Sequence, residues 1–314
     1  MGKTAFLFSG QGAQYVGMGR DLYDNISSSR DIFELAKTVL NLDIMKLCFE
    51  GTSEDLNKTE NTQPAILTTS IAALKALQEY GIKPDITAGL SLGEYSALVC
   101  SGVLDFAEAV RLVKKRGQYM QEAVPIGVGK MTAILGLDDE KVEKVCLRAS
   151  REGIVEPANY NYPGQVVIGG EVQAVNMAGV IAKEEGAKRV IPLPVSAPFH
   201  TSMLRPASER FAPELNVTNI GDIQIPIISN VIADYIQKKE MVKEFLVKQV
   251  MYPILWTKCI LRMIQDGVDT FIEIGPGKVL TGFLKKFDSN FIVTNVEDVK
   301  SLNNTLNILE KRLC

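Results

Sequence analysis

The stretch AGLSLGEYSALV, residues Ala88 to Val99, joins two different sequence patterns at a single serine, Ser91. Residues 85–90, DITAGL, are short and apolar like a buried strand, and residues 92–100 have apolar side chains at helical spacing. A Gly-x-Ser-x-Gly sequence between a strand and a helix matches a nucleophile elbow, a strained turn that projects the serine hydroxyl. An ordinary glycine-rich turn has the same composition, so other parts of the sequence are needed to distinguish a nucleophile elbow from such a turn.

The composition is that of a globular chain without a strong charge bias. At 314 residues and 34.4 kDa the chain can bury a large core, in one large domain or two smaller ones. The net charge is -3 and the densest basic run, KKR, is short, which is not typical of a nucleic-acid-binding protein. No apolar stretch is long enough to span a bilayer, and the one at the start is too short for a signal peptide. We therefore expect no membrane or nucleic-acid partner and a cytoplasmic location.

Two residue types narrow the chemistry further. The chain has a single histidine, His200, which excludes an H-E-x-x-H metal site, so any mechanism that needs an imidazole must use this residue. The cysteines are scattered without C-x-x-C spacing, so we expect neither a disulfide framework nor a metal site. The cysteines are Cys48, Cys100, Cys146, Cys259 and Cys314.

The order of predicted strands and helices divides the chain into two parts. In the first and last parts of the chain, strands alternate with helices, a pattern that predicts a mostly parallel sheet covered on both faces. Between residues 125 and 194 the predicted order is βαββαβ, the split-βαβ or ferredoxin-like unit. Proline and glycine clusters, VPIGVG and PLPVSAP, mark both borders. We therefore predict an α/β fold in which a large domain, residues 1–125 and 195–314, carries an inserted small domain, residues 126–194.

Two local predictions concern segments of the large domain. A helix from Pro64 to Tyr80 is predicted to have Asn61 or Thr62 as its N-cap and Pro64 in its first turn, where proline is favoured. A strand is predicted over residues 226–229, where the alternation of strands and helices resumes.

Three loops leave the carboxyl ends of predicted strands, where open α/β sheets bind their ligands. They are SGQGAQ at residues 9–14, LSLG at residues 90–93 and SAPFH at residues 196–200. If the first two adjoin, the backbone N–H groups of Gln11 and Leu92 can form an oxyanion hole, aided by the positive end of the helix that starts there. A phosphate-binding loop is the alternative for the segment at residues 9–14, but neither of the phosphate-loop motifs, G-x-G-x-x-G and G-x-x-x-x-G-K-[ST], is present there.

Six ordered blocks of the sequence resemble one enzyme family. They are FSGQGAQ, GLSLGEYSALV, VKKRGQYMQEA, NYNYPGQVVIGG, VSAPFHTSMLRPA and IEIGPGKVL, and they extend over nearly the whole chain. Together they are similar to the malonyl-CoA:acyl carrier protein transacylases of fatty-acid synthesis. The resemblance implies an α/β-hydrolase-like large domain with a ferredoxin-like insertion, in agreement with the division predicted from the pattern.

The resemblance also implies roles for individual residues. Ser91 matches the family's nucleophile and His200 its general base, while Arg116 matches the arginine that pairs with the free carboxylate of malonate. Gln249 falls where the family has a glutamine whose backbone carbonyl orients the histidine in place of a triad acid. These residue types suit the chemistry, because a serine hydroxyl needs a base to take its proton and the arginine fork binds a carboxylate bidentately.

Further positions of the site follow from the same blocks. Gln11 and Leu92 match the family's oxyanion-hole residues, in agreement with the argument from the loops. Asn159 matches an asparagine that lines the site, and Phe199 resembles the bulky residue that crowds an α-methyl branch in malonyl-preferring members. Leu90 departs from the pattern, since many members have a histidine directly before the nucleophile. This departure concerns only that neighbour, because the elbow glycines and the following helix are retained.

The resemblance implies transfer of a malonyl group from malonyl-CoA to the phosphopantetheine thiol of acyl carrier protein, through a malonyl-serine intermediate. It implies no cofactor, and we expect a monomer. The alternatives are an acyltransferase for another acyl group, a serine esterase or thioesterase, and a non-catalytic docking protein. Transfer to a carrier thiol rather than release of free acid distinguishes an acyltransferase from a hydrolase, and the absence of any acyl-enzyme would indicate the docking protein.

Overall fold

The structure, a computed structural model, describes residues 2–195, 197–287 and 290–313. Ser196, in the loop before His200, and Cys314 lie outside the described residues. None of the helices within these ranges is long and apolar enough to cross a membrane. The strands are β1 (Lys3–Phe8), β2 (Ile86–Gly89), β3 (Gly129–Leu135), β4 (Val155–Tyr162), β5 (Gln165–Glu171), β6 (Arg189–Pro192), β7 (Val268–Ile274) and β8 (Ile292–Val296). The α-helices are α1 (Arg20–Asn25), α2 (Ser27–Leu40), α3 (Ile44–Phe49), α4 (Ser53–Asn57), α5 (Thr59–Gln78), α6 (Gly93–Cys100), α7 (Phe106–Glu122), α8 (Asp139–Ala149), α9 (Val172–Glu184), α10 (Arg205–Val217), α11 (Met241–Gln249), α12 (Trp256–Gln265), α13 (Val279–Leu284) and α14 (Val299–Leu313).

Four strands form a parallel sheet in the order β2-β1-β7-β8. The last four residues of β1 are all fully buried, because both faces of this sheet are covered. Phe6 and Phe8 pack into a core that includes α5 and α7, whereas Ala5 and Leu7 pack into a second core that includes α12. The parallel sheet with two covered faces agrees with the sequence pattern.

The other four strands form an antiparallel sheet in the order β4-β5-β3-β6. Helix α8 connects β3 to β4, and α9 connects β5 to β6, so these elements follow the predicted βαββαβ order. Most buried apolar residues of this part form a third core, which extends from Ile134 to Ala182. The others pack into the first core, and they are Met131, Ala133, Ala158 and Val167. The chain therefore has a mixed α/β fold with one parallel and one antiparallel sheet.

The strand predicted over residues 226–229 is wrong. Only isolated bridges form there, between Ile227 and Thr87 of β2 and between Ile228 and Tyr235. The chain turns back after Asn230, since the N–H of residue 229 donates to the carbonyl of residue 234, and it cannot continue along the edge of the sheet. The turn places the side chain of Asn230 at the carboxyl end of β2.

The predicted start of helix α5 is also wrong. The helix begins at Thr59, and Pro64 lies inside it rather than in its first turn. The Thr62 hydroxyl does not cap the helix, because it donates to the carbonyls of Leu56 and Lys58, which precede the helix. The earlier start adds a turn of α5 in front of Pro64, and this turn packs against α7.

Candidate active site

Ser91 lies on the sharp turn between β2 and α6, with a left-handed backbone φ of 51°. The two glycines of the motif permit this turn. A Cβ atom on Gly89 would lie 1.9 Å from the carbonyl carbon of Gly93, and one on Gly93 would lie 2.1 Å from the carbonyl oxygen of Phe8. Neither position can hold a larger residue without displacing β1, β2 or α6. This geometry matches that of a nucleophile elbow more closely than that of an ordinary surface turn.

His200 is buried and lies beside the serine hydroxyl. Ser91 Oγ is 2.7 Å from His200 Nε2, and His200 Nδ1 is 2.7 Å from the backbone carbonyl oxygen of Gln249. Because a carbonyl can only accept, Nδ1 carries the proton, and Nε2 is left to accept from the Ser91 hydroxyl. Burial, together with the charge of Arg116, lowers the pKa of His200 to about 3. The imidazole is therefore neutral at pH 7 and can take the serine proton.

Arg116, on α7, is a buried cation in direct contact with Ser91. Its Nη2 donates to Ser91 Oγ at 3.2 Å and to Gln249 Oε1 at 2.9 Å, and its Nη1 donates to Gln63 Oε1 at 3.0 Å. The guanidinium also lies over the Tyr95 ring, with Arg116 Cζ 5.3 Å from the ring centroid. The guanidinium is therefore held by several neighbours in a position from which solvent is nearly excluded, since Arg116 is 1% exposed.

Ser91, His200 and Arg116 line a cavity of about 100 Å³. Every predicted site residue lines this cavity except Gln249, which is fully buried and contacts His200. The backbone N–H groups of Gln11 and Leu92 donate to no acceptor within the described parts of the chain. A ligand oxygen can therefore accept a hydrogen bond from each of them. The lining residues are Gln11, Gln63, Leu90, Ser91, Leu92, Arg116, Met120, Met131, Asn159, Leu193, Val195, Phe199 and His200.

Asn230 is a site residue that sequence analysis missed. Its Oδ1 accepts from the Ser91 N–H at 2.7 Å, and its Nδ2 donates to the Gly89 carbonyl at 2.8 Å. The side chain thus holds the backbone on both sides of the strained turn. Asn230 lies 139 residues after Ser91, in the segment mistaken for a strand, and no local pattern connects the two.

Gln63 and Glu94 were missed as well. Gln63 reaches Arg116 because Gly117 lets α7 approach the first turn of α5, where a Cβ at residue 117 would lie 2.6 Å from the Thr59 carbonyl oxygen. Glu94 is fully buried and accepts from Gln249 Nε2 at 2.6 Å. A signal existed for Glu94, since it is the one charged residue in the sequence of α6.

The described residues contain no group of histidine, cysteine, aspartate and glutamate side chains that could hold a metal ion. Four of the five cysteines are buried free thiols, and Cys314 lies outside the described residues. Burial raises the pKa of Cys48 and of Cys100 to about 12. These thiols are therefore protonated at pH 7 and are poor nucleophiles or metal ligands.

Comparison with known proteins relates the whole chain to one family. Residues 5–303 match the family model described as acyl transferase domain. The chain belongs to the acyl transferase family. Within this family, the malonyl CoA-acyl carrier protein transacylase of Bacillus subtilis is 47% identical over 312 residues, which cover 99% of this chain and 98% of that protein.

Solved structures of acyl transferases agree with this assignment. The malonyl CoA-acyl carrier protein transacylase from Clostridium perfringens has a TM-score of 0.96 at 50% identity, with coverage of 99% of this chain and 98% of that one. A malonyl-transacylase in complex with a type II PKS acyl-carrier protein has a TM-score of 0.95 at 43% identity, with coverage of 98% and 99%. The resemblance predicted from the sequence is confirmed, and the chain is an acyltransferase.

The left-handed backbone at Ser91 gives a prediction about stability. Ser91→Gly and Ser91→Ala both remove the hydroxyl, but only glycine relieves the strain of a positive φ. We expect the glycine variant to be the more stable by about 1 kcal/mol in urea unfolding. The control pair is made at exposed Ser150, where φ is −65° and alanine is expected to be the more stable. An alanine variant at Ser91 as stable as the glycine variant would show that the turn is unstrained.

Proposed function

We propose that this acyl transferase moves a malonyl group from malonyl-CoA to the phosphopantetheine thiol of an acyl carrier protein, through a malonyl-Ser91 intermediate. The observation that carries the proposal is the position of Ser91 Oγ, which lies within hydrogen-bonding distance of both a neutral imidazole and a buried guanidinium. The imidazole activates the hydroxyl, and the guanidinium pairs with a substrate carboxylate. The complex of a similar malonyl-transacylase with an acyl-carrier protein supports a carrier protein as the acceptor.

In the first half-reaction, His200 Nε2 takes the Ser91 proton as Oγ attacks the thioester carbonyl of malonyl-CoA. The carbonyl oxygen becomes an oxyanion, which the free N–H groups of Gln11 and Leu92 stabilise. His200 then gives the proton to the CoA sulfur as the carbon–sulfur bond breaks. The products are free CoA and a malonyl ester on Ser91.

In the second half-reaction, His200 takes the proton of the phosphopantetheine thiol as its sulfur attacks the malonyl ester. The same N–H groups stabilise the second oxyanion. Collapse of the intermediate breaks the ester bond, and His200 returns the proton to Ser91 Oγ. Throughout the cycle the Gln249 carbonyl keeps Nδ1 as the donor, so Nε2 remains the atom that exchanges protons.

Arg116 is the residue that recognises the malonyl carboxylate in this proposal. The planar guanidinium fork suits a carboxylate better than the point charge of a lysine would, and its contact with Ser91 Oγ places it beside an acyl group on that oxygen. The buried setting strengthens the attraction, because charges interact more strongly away from water. Acetyl-CoA has no such carboxylate and gains nothing from Arg116, so the guanidinium selects malonyl-CoA.

Phe199 and Asn159 are assigned to substrate binding because both line the same cavity. The Phe199 ring precedes His200 and forms part of the wall of this cavity. An α-methyl branch on the acyl group would compete with this ring for volume, which disfavours methylmalonyl-CoA. Asn159 supplies a polar side chain from β4 at the wall of the cavity.

The organisation of the chain is part of the same proposal. The large domain, residues 1–125 and 195–314, is α/β-hydrolase-like, and residues 126–194 form a ferredoxin-like small domain. The third hydrophobic core supports this division, since all its members come from residues 126–194. Asn159 and Met131 line the cavity from the small domain, and Ser91 and Arg116 line it from the large one. The enzyme acts as a cytoplasmic monomer without a cofactor.

The fate of the malonyl group tests the proposal against a hydrolase. We expect wild-type enzyme given malonyl-CoA and holo acyl carrier protein to form malonyl-carrier protein and free CoA in equal amounts. A serine esterase or thioesterase would share Ser91 and His200 but would release free malonate. Release of malonate as the main product, at the same rate with and without the carrier protein, would contradict the proposal.

The carrier protein is expected to dock through basic residues. Carrier proteins of this pathway are acidic, whereas the net charge of this chain is -3, so attraction must come from local basic patches. Raising the salt concentration should therefore slow transfer to carrier protein more than transfer to free pantetheine. Equal salt sensitivity with both acceptors would contradict electrostatic docking. The basic residues predicted to take part are Lys114, Lys115, Lys188, Arg189, Lys285 and Lys286.

A further inference from the structure

Arg116 is the one lysine or arginine that is fully buried among the described residues. No carboxylate in the described parts of the chain lies within ion-pairing distance of it, although several exposed arginines have such partners. Hydrogen bonds to neutral side chains and the contact with the Tyr95 ring replace part of the lost hydration of Arg116. A buried cation without a counter-charge is nevertheless costly. The charge of Arg116 must therefore be offset in another way when no malonyl carboxylate is bound.

The Gln249 side chain connects Arg116 to a buried carboxylate. Arg116 Nη2 donates to Gln249 Oε1 at 2.9 Å, and Gln249 Nε2 donates to Glu94 Oε2 at 2.6 Å. A flipped amide would set its NH₂ group against the guanidinium and its oxygen against the carboxylate. Arg116 and Glu94 therefore fix the orientation of the Gln249 amide between them. The amide oxygen faces the positive charge and the amide NH₂ group faces the negative charge.

Glu94 has few other partners. Its Oε2 also accepts from the Asn230 N–H at 3.2 Å, and its Oε1 has no hydrogen bond to any described residue. Burial raises the pKa of Glu94 to about 7, opposed by the hydrogen bonds from Gln249 and Asn230, by the nearby Ser229 hydroxyl and by the charge of Arg116. Above this pH, Glu94 is an anion whose link to a cation runs through Gln249.

We propose that Glu94 is the internal counter-ion of Arg116, acting through the Gln249 amide, and that its charge limits how tightly the site holds the carboxylate of a malonyl group. This inference rests on the proposed role of Arg116. Glu94 does not touch the substrate, since it does not line the cavity, so it is a specificity-determining residue that acts through its neighbours. Its negative charge weakens the attraction of Arg116 for the malonyl carboxylate. The malonyl group is therefore not bound so tightly that its release is hindered.

The test measures binding of malonyl-CoA and acetyl-CoA by calorimetry at pH 8.5, in a Ser91→Ala background that cannot be acylated. Adding Glu94→Gln keeps the shape and the acceptor oxygen but removes the charge. We expect the Kd of malonyl-CoA to fall about tenfold, because an unopposed Arg116 attracts the carboxylate more strongly, while the Kd of acetyl-CoA stays unchanged.

Two further variants separate charge from shape. Glu94→Asp keeps the charge with poorer contacts, and we expect it to bind malonyl-CoA as the parent does. Glu273→Gln neutralises the second fully buried carboxylate among the described residues, which accepts from the N–H groups of Leu280 and Thr281. It should also leave both affinities unchanged.

Four results would overturn the inference. An unchanged malonyl-CoA affinity in Glu94→Gln, or an equal change for both thioesters, would show that the charge of Glu94 does not act on the carboxylate. Tighter malonyl-CoA binding by Glu94→Asp would show that altered shape, not charge, is responsible. If the parent binds both thioesters equally well and Arg116→Ala changes neither affinity, the proposed role of Arg116 fails together with the inference.

Discussion

Replacement of Ser91 by alanine is expected to abolish formation of a malonyl-enzyme and to lower turnover on the order of 10⁴-fold or more. The reason is that Ser91 carries the one hydroxyl among the described residues that line the cavity. No other side chain there can replace it as an oxygen nucleophile beside His200. The measurement is the transfer rate to carrier protein, together with the intact mass after incubation with malonyl-CoA.

A matched control for this variant lies on the same helix. Ser96 is a fully buried serine of α6 that does not line the cavity, so Ser96→Ala should form the malonyl-enzyme normally. Circular dichroism should show that both variants are folded. A malonyl adduct that persists on the folded Ser91→Ala protein would show that another residue is the nucleophile.

Replacement of Arg116 by alanine is expected to affect transfer from malonyl-CoA and transfer from acetyl-CoA differently. The variant leaves the malonyl carboxylate without its partner, an arginine that is only 1% exposed, and the typical loss for a buried charge pair is about 2 to 5 kcal/mol. Since each 1.4 kcal/mol is about tenfold, malonyl transfer should fall by roughly 10²- to 10³-fold. Acetyl transfer should stay constant or rise, because acetyl-CoA makes no such contact. The measurement is kcat/KM for both thioesters with free pantetheine as the acceptor.

Arg111→Ala is the control for the Arg116 variant, because it removes an exposed arginine from the same helix. It should change neither rate appreciably. If Arg116→Ala lowers both rates equally, the guanidinium acts by holding Ser91 and Gln249 in place rather than by binding the carboxylate. Another residue that lines the cavity would then have to provide the selectivity for malonyl-CoA.

The parts of the site that could be predicted from the sequence are those encoded by short local patterns. The elbow at Ser91 depends on Gly89 and Gly93, and both glycines are adjacent to it in the motif. His200 could be identified because the chain has no other histidine. The βαββαβ order was also visible, since alternating strands and helices follow from local hydrophobic patterns.

The parts that escaped prediction depend on contacts between distant segments. Asn230 holds the elbow only because the chain turns back at residues 229–234, and a short apolar run cannot distinguish this turn from a strand. Gln63 meets Arg116 only because α5 begins a turn earlier than its proline suggests and because Gly117 admits the close contact. Such pairings depend on tertiary packing, which one sequence alone does not display.

Intact mass spectrometry after incubation with malonyl-CoA, acetyl-CoA and methylmalonyl-CoA in turn is the most direct test of malonyl transfer through Ser91. We expect one malonyl group per wild-type chain, located on Ser91 by peptide mapping, and little adduct from the other two thioesters. Addition of holo acyl carrier protein should then remove the malonyl group and yield malonyl-carrier protein. A chain that forms no malonyl adduct, or that forms adducts from all three thioesters equally, would contradict the account.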